Sequence, residues 1–308
     1  MFEEIEKYKS LSLYSRQIVE GFIAGSHKSP FHGFSVEFDE HRLYNPGEST
    51  KDIDWKLFGR TDKLFVKRYE EETNLRCHIV IDHSGSMAFP PEHHNRLDHP
   101  NKLTFSIYAA AVLIELLCRQ RDAFCLSLIS DKIDLHTDTK SNRIHQQYLL
   151  GLLEKELHSA LPDDHGGRQT SIEQPLHQIA EQSHRRSMVV IFTDALSVAQ
   201  QNEAFFDALR HLKHCKHEVL LFHTLDRSLE VDFDFPDRPT LFVDMESGER
   251  LKIQPSQVAD QYRQTMKQLT NDIKRHAIQY KIDYQPVATD QGFDNVILPF
   301  LLKRSRHF

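Results

Sequence analysis

The chain has 308 residues, of which 39% are hydrophobic and 27% charged, a composition typical of a globular protein rather than a disordered one. Its formal net charge of −7 argues against a general nucleic-acid-binding protein, because such proteins carry an excess of Lys and Arg. No basic start leads into an apolar N-terminal core, and no window approaches about 18 uninterrupted apolar residues. We therefore expect a cytoplasmic protein with no transmembrane segment. Its cysteines form no C-x-x-C pair, which favours reduced, mostly buried thiols.

The first 74 residues differ in pattern from the rest of the chain. Residues 3–25 carry apolar side chains every three or four positions and predict a helix. The stretch that follows alternates weakly and is interrupted by Pro46 and Gly47, which predicts extended strands and turns. We treat residues 1–74 as an N-terminal helix followed by an extended segment.

From residue 75 onward, short apolar runs alternate with long helical patterns. Strands are predicted at 77–81, 124–129, 188–192, 218–225 and 282–287, and helices at 102–120, 141–157, 171–184, 202–214 and 256–281. Apolar strands without polar alternation, separated by helices, predict a mostly parallel sheet covered on both faces, which is an α/β fold. Residues 75–308 would form this domain, with a small β-hairpin inserted at about 226–256.

Candidate functional residues lie where the predicted strands end. The first core strand runs into Asp82, with Ser84 and Ser86 just behind it, and the strand at 188–192 leads to Asp194. A glycine-rich loop places Thr170 before a further helix. Ligands of open parallel sheets bind outside the carboxyl ends of the strands, so these oxygens should meet at one edge. Carboxylates and hydroxyls are hard ligands, which suit one Mg²⁺ or Mn²⁺.

These residues resemble a known site. The string D-H-S-G-S at 82–86, with Thr170 and Asp194, resembles the metal-ion-dependent adhesion site (MIDAS) of von Willebrand factor A-type domains. Residues 33–72, 244–253, 280–290 and 298–306 resemble a bacterial family of unknown function, DUF58, whose genes commonly neighbour MoxR-type AAA+ ATPases.

The resemblance implies a Rossmann-like, doubly wound domain that binds one divalent cation. Ser84, Ser86 and Thr170 would coordinate it directly, whereas Asp82 and Asp194 would act mainly through water. The sequence departs from the family pattern at His83, where another small or hydroxyl residue is common, and at Glu48, where Asp is common. Neither departure removes an oxygen ligand.

A cation with so little protein charge around it should attract a carboxylate from another molecule. We therefore expect a protein partner that offers an Asp or Glu to the metal, and the resemblance suggests a MoxR-type AAA+ ATPase or its substrate. The predicted function is a non-catalytic, metal-dependent protein-interaction module, an adaptor in a chaperone-like or complex-assembly role.

The alternative is a metal-dependent hydrolase or phosphatase that uses the same strand-end site. A phosphatase with an aspartyl nucleophile would need a second carboxylate at position 84, which is Ser. The chain also has no G-x-S-x-G elbow around Ser84, and no Walker A loop or G-x-G-x-x-G at a strand–helix junction. We therefore expect no enzymatic activity. A scaffold with a vestigial site is a third possibility, but the predicted ligand residues are all present, which argues against it.

A second cluster of polar residues lies in the extended segment and consists of Asp52, Asp54, Trp55, Arg60 and Lys67. It could bind a partner, but a lone Trp beside charged residues more often packs a small domain in place. We expect a structural network there.

Overall fold

The computed structural model describes residues 10–25, 41–43, 55–67, 75–159, 171–196 and 203–291. The strands and helices predicted between residues 77 and 287 occur in the predicted order, whereas Trp55–Thr61, in a segment predicted to be extended, is a helix. The strands are β1 (His41–Leu43), β2 (Phe65–Lys67), β3 (Arg76–Asp82), β4 (Ala123–Ile129), β5 (Ile133–His136), β6 (Met188–Thr193), β7 (Glu218–Leu225), β8 (Thr240–Val243), β9 (Arg250–Ile253) and β10 (Asp283–Ala288). The helices are α1 (Leu11–Gly25), α2 (Trp55–Thr61), α3 (Lys102–Arg119), α4 (Arg143–His158), α5 (Glu173–Gln182), α6 (Glu203–His214) and α7 (Pro255–Gln279).

The described residues belong to two compact units. The smaller unit contains 41–43 and 55–67, and within it β1 and β2 pair antiparallel, with His41 opposite Lys67. The larger unit contains 75–291 together with α1. Residues 26–40, 44–54 and 68–74, which include most of the segment that resembles the DUF58 family, lie outside the described residues.

The larger unit is built on a six-stranded sheet in the order β10-β7-β6-β3-β4-β5. All neighbouring pairs are parallel except β4 and β5. The inner strands are buried on both faces, which explains their continuous runs of Val, Ile, Leu and Phe. The predicted mixed α/β fold with a mostly parallel sheet is confirmed.

The edge strand β5 was not predicted. It has four residues whose burial alternates: Ile133 and Leu135 are half-buried, whereas Asp134 and His136 are exposed. Such alternation marks a half-exposed antiparallel edge, and four residues are too few for a reliable pattern.

Helix α3 is buried along almost its whole length, as its apolar sequence predicts. It begins at a polar cap, because the Asn101 side chain accepts the Thr104 N–H at 2.8 Å. Asn142 caps α4 in the same way, accepting the His145 N–H at 2.8 Å. Helices α1, α3 and α4 pack together, whereas α5 packs against α6.

The hairpin β8–β9 lies within the predicted insertion. The first part of that insertion differs from the prediction, because residues Arg227–Val231 form a π-helical turn instead of a strand. The hairpin contacts α7 through an aromatic cluster in which Phe233 lies 4.5 Å from Tyr262 and 6.0 Å from Phe242, measured between ring centroids. Along the chain, the π-helical turn lies between the end of β7 and the hairpin.

The order of the strands reverses beside β3. From β3 the chain passes to β4 on one side, and later returns to β6 on the other. In open parallel sheets such a reversal leaves a crevice outside the carboxyl ends of the two central strands, here β3 and β6. The sheet therefore brings the residues that follow these two strands together.

Candidate functional site

Two buried carboxylates lie at the ends of β3 and β6. Asp82 is the last residue of β3, Asp194 directly follows β6, and both side chains are fully buried. Burial raises the pKa of Asp82 to about 7, and the negative charge of Asp194 adds to the effect. The site therefore favours a positive charge near Asp82.

Neutral groups hold the Asp82 carboxylate in place. One oxygen, Oδ1, accepts the Ser84 backbone N–H at 3.0 Å, and the other, Oδ2, accepts the Thr193 hydroxyl at 2.6 Å. A carboxylate oxygen has two lone pairs, so each retains capacity for a water or a cation. The geometry therefore leaves both oxygens of Asp82 able to accept one further contact.

The serine hydroxyls lie next to each other in the loop behind Asp82. Ser84 Oγ and Ser86 Oγ are 3.1 Å apart, and both residues are buried. Ser86 lies in a single 3₁₀ turn, Gly85–Ala88, which Ser84 directly precedes. Thr170 and the rest of its loop, residues 160–170, lie outside the described residues. The structure thus places Asp82, Ser84, Ser86 and Asp194 at one edge of the sheet.

A buried lysine contacts this edge, and the sequence analysis did not find it. Lys102 is fully buried at the start of α3, and its Nζ lies 2.7 Å from Asp194 Oδ2 and 2.5 Å from Glu230 Oε1. Burial by itself would lower the pKa of Lys102, but the charges of Asp194 and Glu230 raise it above its ordinary value. Lys102 is therefore an ammonium. Its only sequence signal is a charge at the first turn of an otherwise apolar helix.

The cluster has more acid groups than basic ones. Asp82, Asp194 and Glu230 are three carboxyl groups and Lys102 is a single ammonium, while burial raises the pKa of both Asp82 and Glu230. A pair of carboxylates with two hydroxyls is a hard donor set that fits Mg²⁺ or Mn²⁺. In the described ranges, no group of three or more His, Cys, Asp or Glu side chains is arranged to hold a metal ion. The candidate site thus depends on hydroxyls as much as on carboxylates.

Two histidines lie next to residues of the site, and one of them supports it. His223 Nε2 donates to the Asp194 carbonyl at 2.9 Å, and its Nδ1 accepts from the Tyr284 hydroxyl at 2.8 Å. Burial lowers the pKa of His223 to about 4, so it is neutral at pH 7. His83 contacts α4 instead, with Nε2 3.2 Å from Glu156 Oε2. Its position in the D-H-S-G-S string therefore has a structural explanation.

The cluster in the smaller unit is described only in part. Trp55 is 62% exposed and meets Phe58 edge-on, with ring centroids 6.2 Å apart. Arg60 is exposed as well, while Asp52, Asp54 and the Lys67 side chain lie outside the described residues. Trp55 is therefore not buried among the described residues, and the expected network stays a prediction.

No helix in the described part of the chain is long and apolar enough to cross a membrane. The fold and the site together define a mixed α/β protein in which a buried acid pair lies at adjacent strand ends. The chain belongs to the family described as protein of unknown function DUF58, whose model matches residues 40–275.

Relatives with curated sequences are themselves described only as uncharacterized proteins. One from Mycobacterium tuberculosis is 24% identical over 241 residues, which cover 78% of this chain and 70% of the relative. The match to a protein from Mycobacterium bovis has the same figures.

Similar solved structures include a conserved hypothetical protein, BatB, from Bacteroides thetaiotaomicron. It is 14% identical, with 75% of this chain and 99% of that chain covered and a TM-score of 0.44. An aerotolerance-related membrane protein from Bacteroides fragilis is 13% identical, with 76% and 100% covered and a TM-score of 0.40. Both TM-scores are below 0.5, so we infer nothing about this chain from either structure.

Proposed function

We propose that this protein is a metal-dependent protein-interaction module whose larger unit is a Rossmann-like domain of the von Willebrand factor A type. The proposed site holds one Mg²⁺ or Mn²⁺ through Ser84, Ser86 and Thr170, with Asp82 and Asp194 acting mainly through water. The observation that carries the proposal is the acid pair at the reversal of strand order, beside two hydroxyls 3.1 Å apart.

The residues that surround the site support binding rather than catalysis. The Ser84 hydroxyl contacts Ser86 Oγ at 3.1 Å, and the bond from Ser84 to Asp82 comes from the backbone N–H and not from the hydroxyl. The neighbouring histidines are engaged as well, His223 with the Asp194 carbonyl and His83 with Glu156. A hydrolase would need one of these groups to take a proton from water or from Ser84. We therefore propose no catalytic role for the protein.

The proposed ligand is a carboxylate on another protein. When bound, a divalent cation supplies a positively charged position that an Asp or Glu side chain can complete. Around that position the chain contributes mostly neutral hydroxyls, so the cation would keep net positive character. The resemblance of the sequence to the DUF58 family supplies the class of partner, a MoxR-type AAA+ ATPase or its substrate, and with it the adaptor role.

Co-purification with a MoxR-type AAA+ ATPase from the same organism tests this function. The complex should form in Mg²⁺, dissociate in EDTA, and be weakened in the Ser84→Ala/Ser86→Ala variant. The matched control is Ser187→Ala, which removes a buried hydroxyl that bonds the His184 carbonyl before β6 begins. Binding by the folded double variant as tight as wild type, with no effect of EDTA, would exclude the metal as the contact. Hydrolysis of phosphate monoesters that depends on Ser84 would instead favour the hydrolase.

A further inference from the structure

A buried ion triad joins the candidate cation site to the turn that follows β7. The triad consists of Lys102, Asp194 and Glu230, and Lys102 Nζ bridges the two carboxylates at 2.7 and 2.5 Å. The Lys102 side chain is fully buried, and Glu230 is nearly so. The Lys102 ammonium also lies 5.8 Å from the centroid of the Phe89 ring. Three segments distant in sequence therefore meet at one ammonium group.

Lys102 by itself would oppose cation binding. Its ammonium neutralises Asp194, one of the two acids of the proposed site, and a second cation nearby would be repelled. Glu230 offsets this effect, because it gives the ammonium a second carboxylate. With Glu230 the cluster holds three acid groups against one ammonium, whereas without it only two acid groups would remain.

The backbone holds Glu230 in this position. Glu230 Oε2 accepts the Asp226 N–H at 2.8 Å, while Oε1 faces Lys102. Asp226 in turn caps the π-helical turn, because its Oδ1 accepts the Leu229 N–H at 2.8 Å. Both oxygens of Glu230 thus have fixed donors, and the carboxylate is oriented before any cation arrives.

We propose that Glu230 is a positioning residue that sets the affinity of the site for a divalent cation by sharing the Lys102 ammonium, which would otherwise pair with Asp194 alone. This inference rests on the proposed function, since it concerns the same site. The inference gives a role to the turn after β7, and none of the proposed metal ligands lies in that turn. Glu230 acts through Lys102, so its effect depends on the lysine being present.

Titration of Mg²⁺ into EDTA-treated, dialysed protein tests the proposal with four chains. These are wild type, Glu230→Gln, the double variant Lys102→Met/Glu230→Gln, and the control Glu115→Gln. Glu115 is also a buried carboxylate, but it pairs with Arg119 at the far end of α3. Circular dichroism and thermal unfolding establish that each chain is folded.

Glu230→Gln should weaken Mg²⁺ binding about tenfold, the scale of effect typical of residues that support metal ligands. The double variant removes one charge of each sign and should return to within about threefold of wild type. Glu115→Gln should bind as wild type does. A purely structural role for the triad predicts the opposite order, with the double variant weaker than the single one.

The outcomes separate the inference from the function on which it rests. Wild type without saturable binding would overturn both. Wild type that binds, together with a Glu230→Gln variant of unchanged affinity, would overturn only the role of Glu230. If Glu230→Gln fails to fold, the double variant decides, because it buries no unpaired ammonium. A folded double variant that binds more than tenfold more weakly than wild type would then contradict the proposal.

Discussion

Replacing Asp82 by Asn should make the metal-free protein more stable at pH 8. Asp82 is fully buried, and burial together with the charge of Asp194 raises its pKa to about 7 from an ordinary 3.8. The folded state therefore binds a proton more tightly than the unfolded state. Stability from this group is present below pH 3.8 and is lost as the pH rises through 7. An Asn side chain carries no charge and avoids that loss.

The size of the effect follows from the shift in pKa. One pKa unit corresponds to about 1.4 kcal/mol, so ionised Asp82 costs up to about 4 kcal/mol at pH 8. Asn has one carbonyl oxygen and can accept only one of the two hydrogen bonds from Ser84 and Thr193 well, which costs about 1 kcal/mol. The variant should therefore gain about 3 kcal/mol in unfolding free energy.

Urea denaturation in EDTA at pH 4 and pH 8 measures this difference. The gain from Asp82→Asn should be large at pH 8 and absent at pH 4. The control is Asp122→Asn, since Asp122 is also buried but accepts the Leu75 N–H at the other end of the sheet. It should show no gain at either pH. An Asp82→Asn variant that is equal to or less stable than wild type at pH 8 would refute the reasoning.

Two further predictions concern residues outside the site. Burial and the neighbouring His136 and His217 lower the pKa of His78 to about 3, so its contribution to stability is present above pH 6.5 and is lost as the pH falls towards 3. When the pH is lowered from 7 to 5, the unfolding free energy of wild type, measured in urea, should fall. In His78→Gln this fall should be about 2 kcal/mol smaller. Asn101→Ala removes the cap of α3 and a hydrogen bond to the Ala88 carbonyl, and should cost about 1–2 kcal/mol by the same assay. Equal pH dependence in the first case, or unchanged stability in the second, would contradict these expectations.

The sequence predicts the inner strands well for a physical reason. Strands β3, β4, β6 and β7 are buried on both faces, so each leaves an uninterrupted apolar run, and the observed bounds lie within one or two residues of the prediction. Strand β5 is short and half exposed, and leaves no such run. The π-helical turn at Arg227–Val231 replaces the start of the predicted hairpin, because so few apolar residues fit a helical and a strand period equally well.

The residues of the candidate site also divide into those that the sequence predicts and those that it does not. Asp82, Ser84 and Ser86 could be found because they are adjacent in sequence at a strand end. Lys102 and Glu230 could not, since Lys102 contacts Asp194 across 92 residues and Glu230 across 128. Only the folded chain brings these charges together, and the charge of Lys102 at the start of an apolar helix does not show which residues it contacts.

Calorimetric titration of Mg²⁺ into the metal-free protein tests the central claim most directly. Wild type and the Ser187→Ala control should show saturable binding to one site at millimolar Mg²⁺, because the hydroxyl pair and the acid pair are intact. The Ser84→Ala/Ser86→Ala variant should lose the binding while it keeps the circular dichroism spectrum of wild type. Absence of saturable binding in wild type, or equal binding in the double variant, would contradict a metal-dependent function at this site.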